Sequence, residues 1–148
     1  MSVDFYAITA QAVADVVSPA WFSGHEVWVN GISESNSDLV ESEPPALYVD
    51  AVSVNEYIFR SGVQSVGIEF RIAHYARGEN GDAAPFSEQI SNMSDRVNSA
   101  EFVDLLDSAA APSINVFGVN KVSVSREIDG NLLIALCTFE IICGEITP

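Results

Sequence analysis

The sequence predicts an α/β (α+β) chain, a mostly antiparallel mixed sheet packed against an amphipathic helix in the order α-β-β-β-α-β-β. Three observations lead there. Residues 63 to 75 alternate strictly, with Val66, Ile68, Phe70 and Ile72 on one face and Ser65, Gly67, Glu69 and Arg71 on the other. That is the period of a strand with one face in a core. Phe86, Ile90, Met93 and Val97 follow Pro85 at i, i+4, i+7 and i+11, the stripe of a helix begun by proline. Asp129-Gly130 separates the runs Lys121 to Ile128 and Leu132 to Ile146, as the turn of a tight antiparallel hairpin does.

The remaining elements follow in chain order. Residues 2 to 17 place Phe5, Ile8, Ala12 and Val16 on one helical stripe, with Asp4 at the positive end of the dipole and Pro19 as the stop. His25 to Ile32 is rich in β-branched and aromatic residues and reads as a strand with a turn or bulge at Asn30-Gly31. Residues 33 to 45 carry four acids, four serines and a diproline, and read as an exposed acidic loop. Ala46 to Val54 resumes a strand. A second helical stretch, Glu101 to Ser108, continues the Pro85 helix with a bend before Pro112. Leu132 to Leu136 is apolar throughout, so the last strand is expected to be central and covered on both faces. The expected core comprises Val66, Ile68, Phe70, Ile72, Val122, Val124, Cys137 and Phe139 beneath Phe86, Ile90, Met93 and Val97.

A chain of 148 residues, 48% hydrophobic, is expected to form a single domain over 1–148. At that length a chain buries roughly 70% of its unfolded surface, so no disulfide or structural metal is needed. Cys137 and Cys143 lie on one strand some 20 Å apart at about 3.3 Å per residue, which predicts reduced core thiols. The formal charge is −15. Residues 1 to 59 hold nine acids and no Lys or Arg, whereas 60 to 148 hold twelve acids and six bases. Such a surface repels phosphates, which argues against specific nucleic-acid binding and against a membrane partner, while remaining compatible with passive passage of DNA. The N-terminus lacks a basic region and a long apolar core, so synthesis in the cytoplasm is expected.

No constellation for chemistry emerges. His25 and His74 stand about fifty residues apart without signature neighbours, and there is no G-x-S-x-G elbow. Cys137-x5-Cys143 is not a zinc spacing. Glu34, Asp38, Glu41 and Glu43 offer oxygen ligands, but they lack the pattern of a calcium loop and read as solvated. Gly78 to Asp82 has no phosphate-loop lysine and reads as a turn. Asn92-Met93-Ser94 matches a glycosylation triplet only by chance, inside a helix. Trp21, Phe22 and Trp28 form an aromatic cluster whose default is burial, a partner-facing hot spot being the alternative. The expectation is a chain that is not an enzyme, with no catalytic residue, cofactor or metal.

Whole-chain order carries more than any motif. A leading helix, Glu26-Val-Trp-Val29, a variable loop, Pro44-Pro45-Ala-Leu-Tyr-Val49, the long strand Val66 to Ala76, a helix and the hairpin Ser125-Arg-Glu-Ile-Asp-Gly-Asn-Leu-Leu-Ile134 resemble the tail terminator and head-to-tail joining (neck) proteins of tailed bacteriophages. The loop from Ser33 to Pro45 departs from that pattern in its acidity. The resemblance implies a structural virion protein that forms a homo-oligomeric ring, a hexamer, capping the tail tube and meeting the neck. Another neck or tail-completion subunit, or a small ligand-binding domain or enzyme, is the alternative.

Charge also suggests interface residues. Glu34, Asp38, Glu41 and Glu43 repel one another in the free chain, and Leu39 and Val40 are the loop's only sizeable apolar anchors. In an assembled ring the loop is expected to dock on a neighbour, its acids meeting bases such as Arg60 or Arg77. Hydrogen exchange across 33–45 should therefore slow on assembly, and equally fast exchange in the completed particle would reduce the loop to a solvated surface.

Overall fold

A computed structural model of the protein describes residues 4–21, 26–29, 46–57, 61–75, 87–129 and 132–146. Among the described residues three helices, α1 (Phe5–Trp21), α2 (Ser87–Val97) and α3 (Ala100–Ala110), accompany five strands. These are β1 (Glu26–Val29), β2 (Ala46–Glu56), β3 (Val63–Tyr75), β4 (Ile114–Asp129) and β5 (Leu132–Glu145). They form one mixed sheet in the order β1-β2-β3-β5-β4, in which only the β1–β2 pair is parallel. The α+β class and the mostly antiparallel sheet agree with the sequence reading.

Helix α1 starts where Asp4 caps it: the carboxylate Oδ1 accepts from the Ala7 amide at 3.1 Å, and the Asp4 carbonyl accepts from Ile8 at 3.0 Å. Thr9, the one buried polar side chain among the described residues, donates its hydroxyl to the Phe5 carbonyl, which removes the cost of its burial. The expected stripe holds, with Ala12 and Val16 in the core and Phe5 and Ile8 packed against it, and one expectation for α1 needs correction. The helix continues through Pro19 to Trp21, because in the last turn proline forgoes only the bond to the Asp15 carbonyl. Ala10, Val13 and Val17 are buried as well, because α1 packs against both β2 and α3 and buries more than that one stripe.

The second helical region is two helices. Ser99 separates them with its side chain: the hydroxyl donates to the Arg96 carbonyl at 2.7 Å and accepts from the Phe102 amide at 3.2 Å. One serine thus closes α2 and caps α3. Phe102, Leu106 and Ala110 form the buried side of α3. Asp107 ties α3 to the next strand by accepting from the Val116 amide at 2.8 Å.

Strand β4 starts at Ile114, seven residues before the expected Lys121. Shifts in its register with β5 between Val116 and Gly118, and between Asn120 and Ser123, break the period of two that would have revealed it. Lys121 accordingly has a φ of 54°. Strand β1, Glu26–Val29, falls within the expected His25 to Ile32, and the remainder of that stretch, with the predicted turn Asn30-Gly31, lies outside the described residues.

All three helices contribute to one core with one face of the sheet. Val66, Ile68, Phe70, Ile72, Cys137 and Phe139 lie in it, as expected, with Met93 and Val97 of α2. Val122 and Val124 are only half-buried against it, since β4 is the terminal strand; Phe86 and the side chain of Ile90 lie outside the described residues. Phe139 meets Phe70 edge-on at 6.1 Å between ring centroids and Phe102 of α3 at 5.8 Å. Cys137 and Cys143 are free and buried, and desolvation pushes both thiols up to about 12. Strand β5 lies between β3 and β4, with Leu133, Ala135, Cys137, Phe139, Ile141 and Cys143 in the core. Its other row is covered only in part: Ile134 and Ile142 are buried, whereas Leu136, Thr138 and Glu140 are half-buried.

Replacing Phe70, which is wholly buried, with Ala should cost about 3–5 kcal/mol through lost transfer energy and the cavity left behind. Urea unfolding checks this; a loss under about 1 kcal/mol would contradict the aromatic core.

Candidate surface on the open sheet face

The sheet face opposite the helices is covered by no described helix, and two irregularities shape it. At the β2 shift between Ala51 and Ser53, Val52 leaves the pairing and stays 56% exposed. At the first β4 shift, Phe117 does the same at 47%. Each leans over a glycine. A Cβ on Gly67 would lie 2.5 Å from Ser53 Oγ and 3.4 Å from Val52 Cγ2; one on Gly144 would lie 3.2 Å from the Gly62 carbonyl oxygen and 3.4 Å from the Phe117 ring. The missing side chains leave room for the displaced ones, so bulge and glycine act together to present an apolar group outward.

Three hollows lie along the described strands. The largest, about 370 Å³, has Ile134 and Leu136 among its lining, together with Arg71, Ser125, Arg126 and Glu127. At the other end of β5, Phe117, Val63, Ile142 and Tyr57 contribute to a hollow of about 280 Å³. Next to it, Glu56, Lys121 and Glu140 line one of about 320 Å³, where Lys121 Nζ stands 3.3 Å from Glu140 Oε1.

Charge collects at the centre. Asp50 and Glu69 are direct cross-strand partners, and Arg71 Nε donates to Glu69 Oε1 at 2.7 Å. Burial raises the Asp50 carboxyl above its ordinary value, the Arg71 guanidinium opposes that rise and the Glu69 carboxylate adds to it. Apolar ground interrupted by paired charges suits contact with another protein surface. Among the described residues no group of three or more His, Cys, Asp or Glu is placed to hold a metal, and no helix is long and apolar enough to cross a membrane.

The interface residues suggested by the sequence, Glu34, Asp38, Leu39, Val40, Glu41, Glu43, Arg60 and Arg77, all lie outside the described residues, as do His25 and Phe22. His74 falls in β3, Trp21 in the last turn of α1 and Trp28 in β1, with side chains outside the description. The Asp50–Glu69 pair was missed because strand register creates it, nineteen positions apart in sequence. The only cue to Phe117 was the adjacency of Val116, Phe117, Gly118 and Val119, where two apolar residues precede a glycine. No protein-family model and no curated protein matches the chain.

Asp50 also yields a pH dependence. Its folded pKa is above the ordinary 3.8, so the folded chain holds this proton more tightly than the unfolded chain. The ionised carboxyl therefore opposes folding above the raised pKa, and that penalty disappears as pH falls towards 3.8. Asp50→Asn should be more stable than the parent at pH 7, with an advantage that shrinks on acidification. Denaturant titrations across that range test it, and a variant less stable at pH 7 would place the controlling cost elsewhere.

Proposed function

We propose that the protein is a structural virion subunit, a tail terminator that closes into a hexameric ring, caps the tail tube and joins it to the neck. The observation that carries this reading is the two-sidedness of the subunit. Helices cover one face of the sheet, and the other face presents Val52, Phe117 and three hollows. Contact between unlike surfaces, repeated about an axis, is what closes a ring. The element order is the one expected from the sequence, save that the second helix is divided in two.

The role requires no bond-making step. One annular face matches the last ring of the tube, the other meets the neck without templating more tube, and an acidic lumen lets DNA pass without holding it. The subunit is made in the host cytoplasm and ends in the virion tail or neck. A different neck or tail-completion subunit would use the same surfaces, and the number of copies per particle separates these roles.

Native mass spectrometry of the purified protein, alone and with tail tube, should show a closed oligomer of six subunits, and particle images should show one such ring per tail. A chain that stays monomeric with the tube and is absent from particles would reject the reading, as would robust turnover of a small substrate.

A further inference from the structure

We infer that β4 of one subunit pairs edge to edge with β1 of a second copy, so that the sheets of neighbouring subunits continue into one another around the ring. The inference rests on the ring reading and names the strands that meet in it. These two strands end the sheet, and among the described residues nothing pairs with the outer edge of either. The main-chain donors and acceptors along such an edge are a template for another strand. Only part of β4 can serve as one. Between Ile114 and Ser123 two register shifts and the left-handed backbone of Lys121 break regular pairing, which blunts that stretch against an added strand. From Ser123 to Asp129 the register with β5 is unbroken and the strand holds neither glycine nor proline.

Direction selects β1 as the occupant. Strand β1 is parallel to β2, and the steps to β3, β5 and β4 are each antiparallel, so β1 and β4 of one subunit run in opposite directions. A copy set beside β4 in the same orientation therefore brings its β1 antiparallel to β4, with the helix sides of both sheets continuous. Pairing β4 antiparallel with itself needs a twofold axis and closes at two copies, whereas two unlike edges make the heterologous contact that generates a ring. The apolar rows agree. Val27 and Val29 are the partners of the core residues Leu47 and Val49, yet Val27 is 37% exposed and Val29 half-buried. At the opposite end of the sheet Val122 and Val124 are half-buried on the same helix side. Pairing the edges sets Val27 of the second copy against Val124 and Val29 beside Val122, so each copy completes the other's core. Charge fixes this register. It places Glu26 opposite Ser125 and Trp28 opposite Ser123, whereas a shift of two or four residues towards Asp129, which keeps the faces matched, sets Glu26 against Glu127 or Asp129.

Introduced cysteines test the contact. Val27 and Val124 lie on opposite edge strands of one subunit, four strand spacings or about 19 Å apart, so Val27→Cys and Val124→Cys cannot bridge within a chain. The native Cys137 and Cys143 are buried and take no part. In oxidised glutathione the double variant should give a ladder of disulfide-linked copies ending at the closed ring on a non-reducing gel. Each single variant alone should stay unlinked, and a mixture of the two should stop at dimers. As a second readout, Ser125→Lys should tighten self-association about threefold and Ser125→Glu weaken it about threefold in sedimentation velocity, with the thermal unfolding of the subunit unchanged. Dimers from Val124→Cys alone would show β4 pairing with itself and overturn the inference. If the parent chain self-associates but the double variant forms no bridge, or both Ser125 variants move association the same way, this contact is wrong while the ring reading stands. If the parent chain never self-associates, with or without tail tube, both fall.

Discussion

The contact of Phe139 with Phe70 on one side and Phe102 on the other is the constraint on which the rest of the molecule depends. Phe139 belongs to β5, which pairs with β3 and β4, so its orientation sets the register of three strands. A slip of one residue would turn the whole row from Leu133 to Cys143 away from the helices. The same choice of face puts Asp50, Glu69 and Arg71 on the other side, where half-burial leaves them to pair with one another. Core and candidate surface are two consequences of one register.

What the sequence revealed depended on whether a local period survived. Strand β3 has no irregularity along Val66 to Ile72 and was legible residue by residue. Strand β4 contains two bulges, and its first seven residues could not be read as a strand because alternation resets at Phe117 and again after Asn120. Pro19 was read as a stop since its position relative to the helix end cannot be known before that end is known. The division of α2 from α3 depends on one hydroxyl of Ser99 serving two backbone groups, whereas the stripe of apolar residues runs on past it. On the surface, spacing arguments favoured the crowded acids of 33–45. The paired charges of the open face came from residues distant in sequence and brought together by the sheet.

If a strongly acidic chain is to associate with its own kind, as proposed, it has to place its few bases where they oppose the general repulsion. At physiological salt the Debye length is about 8 Å, so distant charges are largely screened and contact is decided by groups at the interface. The placement of Arg71 beside Glu69 and of Lys121 beside Glu140 is then more informative than the net charge. Surface pairs add little affinity singly, and the apolar residues among them supply the remainder.

The two buried thiols have a chemical consequence for the finished protein. With values pushed up to about 12, Cys137 and Cys143 are thiolate in only about one molecule in ten thousand at pH 8. Oxidants and disulfides attack the thiolate, and here it is both scarce and enclosed by the core. The folded chain can leave a reducing compartment for an oxidising one without exchanging a sulfur bond, so it retains one covalent form in both.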